Sequence, residues 1–356
     1  MADALSLGLH AAVVAVDTGT PLVLTVPGQL PDGTVRPGLP FGPFQPATHR
    51  TLEMGLRQWV ETQTELQLGY VEQLYTFGDF GRFRQAEPKK QTADGAGSSS
   101  LSAQHFVSVG YLALVRTPSD DPAQSVLRWK NWYQFFPWED WRNGQPVILD
   151  DIILPALAGW VQAQPDKVSS SKGLNRVARF RLAFGCDGPG MAGERDRLPT
   201  ITSWDEERVL ERYELMYEAG LVAEAITDGR VVPSDTSARP IALPQTPLGE
   251  AMLYDHRRIL ATAIARLRGK LKYRPVVFEL LPDAFTLTQL QQTVETLSGR
   301  SVHKQNFRRM VEKADLVEPT GTTAAQTGGR PAAYFRFRRS VTLERPRPGL
   351  RIAPRV

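Results

Sequence analysis

Glu53, Glu61 and Glu65 lie in the stretch LEMGLRQWVETQTELQLG, whose apolar residues have helical spacing. Leu52, Leu56, Trp59 and Val60 fall on one face of a helix running from Leu52 to Gln63. Carboxylates gathered on one helical face are a way to hold a hard divalent cation, which wants several oxygen ligands. Here they are too few, and the segment breaks at Leu68-Gly69 into a β-like run. A second group lies near the C-terminus, in SVHKQNFRRMVEKA. Phe307, Met310, Val311 and Ala314 recur at i, i+3, i+4 and i+7. Gln305, Arg308 and Arg309 therefore point the other way, with Lys304 and Asn306 on the flanks. Arginine and lysine pair with guanine edges, and asparagine or glutamine with adenine edges.

The rest of the composition narrows the chemistry. The 356 residues suffice for two or three domains. No apolar run approaches the ~20 residues of a membrane helix. MADALSLGLHAAVVAVD has no basic leader region and reads as a first strand. A single cysteine, Cys186, excludes an intrachain disulfide and a cysteine-based zinc site. The five histidines are scattered. A cytoplasmic protein without structural metal is expected. The net charge of +4 is unevenly spread. From Arg266 to Val356 there are 18 Lys/Arg against 7 Asp/Glu, a net of +11, and the remainder has 24 against 31, or −7. A basic C-terminal end on an acidic body points to a polyanionic partner.

Two positioning frameworks emerge. In the body, strands are expected over about 8–26, Val71 to Phe77, HFVSVGYLALVR and RVARFRLAFG. Helices are expected in ILPALAGWVQA, from Asp205 to Ala225 and from Asp255 to Lys272. Residues 85–104 form a polar, low-complexity insert. At the C-terminal end, a short helix near Pro275 to Leu281 precedes FTLTQLQQTVETLSG. There Thr286 and Gln289 have capping-box spacing, Phe285 and Leu290 could form a staple, and Gly299 is a helix stop. The basic helix follows, then two strand-like runs around a Gly/Thr tip, with Tyr334, Arg336 and Arg338 on one face and Phe335 and Phe337 on the other. Three helices and a basic hairpin form the winged helix-turn-helix plan, whose second motif helix reads the major groove while the wing lies along phosphate.

The segment RLRGKLKYRPVVFELLPDAFTLTQLQQTVETLSGRSVHKQNFRRMVEKADLVEPTG, followed by GGRPAAYFRF, resembles the C-terminal half of the Nudix-related transcriptional regulators of NAD metabolism, the NrtR type. LPFGPF, HRTLEMGLRQWVE and LGYVEQLYTFGD resemble that family's Nudix-like half, and with FFPWEDWRNGQP the chain looks most like the NadQ-type regulators. The resemblance implies an α+β chain: a Nudix-like α/β/α sandwich body followed by a C-terminal winged helix-turn-helix domain. The implied division is a sensor over 1–160, an extension over 161–254, a linker helix over 255–273, the winged helix over 274–340 and a basic flexible tail over 341–356.

An active Nudix box reads G-x5-E-x7-R-E-U-x-E-E-x-G-U. Anchored on Arg57, its carboxylate triplet has become Gln58, Glu61 and Thr62, and its glycine Thr64. One carboxylate remains, so hydrolysis is expected to be lost, with no catalytic residue and no metal ligand. The implied function is a DNA-binding regulator, a repressor of NAD biosynthesis genes. Its effector would be NAD or a related adenine nucleotide such as ADP-ribose or ATP, and its operator double-stranded DNA. Lys304, Gln305, Asn306, Arg308, Arg309, Arg330, Tyr334, Arg336 and Arg338 are its candidate DNA contacts; Arg57, Tyr75, Phe77, Trp138, Trp141 and Arg142 are its candidate ligand contacts. A homodimer is implied. Leu260, Ile264, Leu267 and Leu271 could supply its seam or pack within one chain. The alternative is a Nudix-type pyrophosphatase of the ADP-ribose class with a basic nucleic-acid-binding module.

Overall fold

The computed structural model describes residues 5–78, 105–116, 129–164, 167–168, 173–187, 199–229, 248–323, 331–341 and 350. The insert over 85–104, Arg330 and nearly all of the basic tail lie outside the described residues.

β1 (Leu5–Asp17) is the spine of the body. Its LGLHAAVVA run is apolar on both faces, as a strand covered on both sides must be. β2 (Thr20–Leu24) and β5 (Phe41–Pro43) pair with it antiparallel, and β7 (His105–Leu114) pairs parallel, with Leu9 opposite Val109 and Val13 opposite Ala113. β6 (Tyr70–Phe77) closes one edge on β7, and β8 (Trp129–Asn131) the other on β2. β3 (Val26–Gln29) and β4 (Val35–Gly38) form a separate ribbon.

The period of two along β1 sorts the core into two layers. Leu9, Ala11, Val13 and Ala15 pack with Leu56 and Val60 of α1 (Leu52–Thr64). Ala12 and Val14 join the larger core on the other face, with Leu260 and Ile264 of α6 (His256–Tyr273). This is an α/β/α sandwich. α1 starts on Thr51, whose side chain accepts from the Met54 backbone amide at 3.1 Å, and stops where Glu65 turns left-handed.

Two expectations change and two are refined. RVARFRLAFG is not a strand but α3 (Arg176–Phe184), with α2 (Leu154–Ala163) before it. The Asn175 side chain caps α3, and Phe180, Ala183 and Phe184 form a buried helical stripe. Gly185 ends it at φ 61°, where a Cβ would strike the Ser203 carbonyl. The helix expected from Asp205 to Ala225 divides into α4 (Val209–Glu218) and α5 (Ala223–Thr227), because Gly220 adopts φ 75°. Leu260, Ile264, Leu267 and Leu271 are core of the same chain: with Ile259 and Ala263 they make an arc too broad for a two-helix seam. This helix also covers one face of the sheet. The short apolar helix expected near Pro275 to Leu281 is present as a 3-10 helix, Val276–Leu280.

The C-terminal module continues the larger core through Leu290, Val294, Leu297 and Phe307. Its α7 (Leu287–Ser298) carries the capping box of Thr286 and Gln289, formed in both directions. After α8 (Lys304–Ala314) come β10 (Val317–Thr323) and β11 (Ala333–Phe337), with β11 also paired to β9 (Phe285–Thr286).

Candidate functional site

α1 presents Gln58, Glu61 and Thr62 to solvent. Thr62 donates its hydroxyl to the Gln58 carbonyl at 2.8 Å, and Glu61 accepts from the Gln67 amide at 3.2 Å. Arg57 is occupied locally. It pairs with Glu53 at 2.8 Å and donates to the carbonyls of Leu68 and Gly69, stapling α1 to the turn before β6. Among the described residues no group of three or more His, Cys, Asp or Glu is placed to hold a metal ion. No helix among them is long and apolar enough to cross a membrane.

The six ligand candidates do not converge. Tyr75 and Phe77 line a cavity of about 440 Å³ at the sheet edge, between β6, α3, α4 and α6. Tyr75 is 61% exposed and meets Phe77 edge-on at 5.2 Å. Arg258 lies over the Phe77 ring at 5.1 Å and pairs with Glu214 at 2.7 Å; Arg179 grips Glu218 through two hydrogen bonds. Arg266 is half-exposed and reaches Glu72 only at 3.7 Å. Sequence reading missed these charged walls, because α3, α4 and α6 bring them together from distant positions with no local motif.

Trp138 is instead fully buried, edge-on to Phe136. Trp141 packs on Trp204 at 4.5 Å, and its backbone amide donates to the Gly299 carbonyl at 2.8 Å. Arg142 pairs with Asp140 at 2.8 Å and donates to the Gly19 carbonyl at 2.6 Å. The aromatic segment therefore seats the C-terminal module and does not line the cavity.

On that module, Lys304, Gln305, Asn306, Arg308 and Arg309 are all exposed, while Phe307 and Val311 are buried. None of the five side chains has a hydrogen-bond or ion-pair partner among the described residues. His303 precedes the helix without a side-chain cap, and Asp315 ends it at φ 50°. Arg336, 63% exposed, crosses to Glu318 at 2.6 Å on the paired strand. Arg338 turns inward to Asp315 at 2.9 Å, tying the wing to the end of α8. Tyr334 is half-buried on β11, its carbonyl accepting from the Thr320 hydroxyl at 3.1 Å. The array is a helix with an unengaged polar and basic face, braced by a hairpin.

The chain is thus an α/β/α sandwich body carrying a C-terminal winged helix. Residues 277–337 match the NrtR DNA-binding winged helix domain, so the resemblance read from sequence holds over that module. An 86-residue stretch is 37% identical to the ADPR responsive transcriptional repressor NtrR of Acinetobacter baylyi, covering 24% of this chain and 34% of that protein. The chain therefore spans about a third of the length of this curated relative. Among solved structures, that of Shewanella oneidensis NrtR complexed with a 27mer DNA is similar at a TM-score of 0.47 and 19% identity, over 98% of this chain and 99% of that one. A MutT/nudix family protein from Enterococcus faecalis follows at 0.45 and 14%, over 95% and 88%.

Proposed function

We propose that this protein is a DNA-binding transcriptional repressor of NAD biosynthesis genes whose operator affinity is set by an adenine nucleotide, with ADP-ribose the first candidate ahead of NAD and ATP. The observation that carries this reading is the face of α8. Five exposed polar or basic side chains stand without side-chain partners among the described residues, on the second motif helix of a winged helix. In the reading proposed, Gln305, Arg308 and Arg309 meet base edges and Lys304 and Asn306 meet flanking bases or phosphate. Arg336, Tyr334 and Arg330 meet phosphate from the wing. Arg338 acts by holding the wing against α8 through Asp315. Two copies would bind a palindrome with half-sites about one DNA turn apart, and the site of action is cytoplasmic.

The effector is assigned to the cavity beneath Tyr75 and Phe77. Its volume lies within the roughly 300–1,000 Å³ usual for small-molecule sites. Tyr75 offers a stacking face for a base, and Arg266 the least engaged charge for a phosphate. The box helix keeps the fold without the acids for hydrolysis, since Gln58 and Thr62 offer only neutral oxygens. The test is fluorescence anisotropy on a labelled duplex from the gene's own upstream region, in a titration of ADP-ribose. Binding that discriminates this duplex from random DNA and changes with nucleotide supports the reading. Equal, nucleotide-independent affinity for both duplexes refutes it.

A further inference from the structure

Glu139 lies between the cavity and the turn that aims α8. Its side chain is 1% exposed. Oε1 accepts from Arg212 Nε at 2.7 Å; Oε2 accepts from Arg212 Nη2 at 2.9 Å and from Arg268 Nη1 at 2.7 Å. Arg212 belongs to α4 and Arg268 to α6. The same two helices form cavity walls, through Glu214 and Glu218 on one and Arg258 and Arg266 on the other. One carboxylate thus joins the two walls.

The other side of Glu139 faces the helix-turn-helix. Its carbonyl accepts from Arg268 Nη2 at 3.2 Å and fills the space where Gly299 has no side chain. Gly299, at φ 72°, opens the turn from α7 to α8. Arg268 Nε donates to the Leu297 carbonyl at 3.1 Å, and Tyr133 donates its hydroxyl to the Thr296 carbonyl at 2.9 Å. Ser301 then donates to the Arg142 carbonyl at 2.7 Å, which anchors the turn just before α8.

A buried carboxylate between two arginines is poor value as a stabiliser, since apolar replacements of such groups are often neutral or better. What it does supply is orientation: charged hydrogen bonds have narrow geometry, and here they fix three elements on one point. We propose that Glu139 is a positioning residue that couples the cavity to the recognition helix. A ligand that changes the spacing of α4 and α6 changes how Arg212 and Arg268 share the carboxylate, and the turn at 299–303 moves with Arg268. The inference rests on the regulator reading above and adds its route.

The test compares the wild type with Glu139→Gln, which keeps the volume, and with the milder Tyr133→Phe and Ser301→Ala. For each, the operator Kd is measured with and without saturating ADP-ribose, and the ADP-ribose Kd by calorimetry without DNA. The wild type should show a linkage of roughly 5–150-fold. Each variant should bind nucleotide within about threefold of wild type, with linkage reduced toward one and furthest for Glu139→Gln. A merely structural role would shift operator affinity alike in both states and leave the ratio intact. Should Glu139→Gln fail to fold, the two milder variants decide. Wild-type linkage retained in every folded variant overturns the proposal while the regulator stands; a wild type with no linkage overturns the regulator reading and the coupling together.

Discussion

Replacing Glu139 with glutamine should destabilise the whole chain, because the residue's partners are as deeply buried as it is. Arg212 and Arg268 have fully buried side chains; Arg212 also donates to the carbonyls of Ala183 and Asp205, and Arg268 to those of Leu297 and Glu206 and to the Tyr133 hydroxyl, while both rely on Glu139 to balance their charge. Breaking a buried pair from one side costs about 3–5 kcal/mol, since the remaining charge keeps its desolvation cost. Here two guanidiniums lose one carboxylate, so the upper part of that range is expected. Urea unfolding followed by tryptophan fluorescence reads the cost as a fall in midpoint at unchanged slope. The pH dependence gives an independent check. Burial alone would raise the Glu139 carboxyl, but Arg212 and Arg268 outweigh it and hold it below its usual value. A depressed folded-state pKa contributes stability that is complete above the unfolded value and is lost as pH falls through the folded one. The wild type should therefore lose stability through and below the ordinary carboxylate range, and Glu139→Gln should flatten that part of the curve. A loss below about 1 kcal/mol with an unchanged acid limb would show that the network does not hold the charge described.

Arg308→Ala or Arg309→Ala should cost roughly 1–3 kcal/mol on operator DNA and relax preference at one or two base pairs. Arg336→Ala should weaken operator and random DNA alike and lower the salt slope by about one unit. Altered base preference from Arg336→Ala together with silence at Arg308 and Arg309 would reverse those roles. Tyr75→Ala should leave the midpoint of unfolding nearly unchanged, because the ring is mostly exposed, yet weaken ADP-ribose binding about tenfold, the loss of one stacking contact; unchanged calorimetry removes the effector from this cavity. Millimolar magnesium should not raise the melting temperature, and a rise abolished by Glu61→Ala would restore the box helix as a metal site.

Local chemistry carried the C-terminal module into the sequence. The Thr286–Gln289 box, the Gly299 stop and the Phe307–Val311 stripe each specify geometry within a few residues, and each forms as expected. RVARFRLAFG misled because its alternation fits a strand while Phe180, Ala183 and Phe184 also fit a helix; the Asn175 cap was the overlooked signal. The role of α6 was hidden for a related reason. Its apolar residues show one broad stripe, but only tertiary packing shows that both the sheet and α7 share it. The cavity was half legible. Tyr75 and Phe77 come from one strand, whereas Arg258, Arg266, Glu214 and Glu218 meet there through long-range packing that periodicity does not encode. Trp138 and Trp141 were conspicuous as aromatics, but their surroundings are core and the winged-helix seat.

The central claim is that one molecule reads DNA with α8 and changes that reading with a nucleotide. Its most direct test is the operator Kd of the full chain, measured by anisotropy at fixed salt across an ADP-ribose titration, alongside a random duplex of equal length. The account predicts operator binding at least tenfold tighter than random in one nucleotide state and a shift of roughly 5–150-fold between states. The random duplex should show a far smaller shift. Identical curves for the two duplexes, or a nucleotide titration that moves neither, would contradict it.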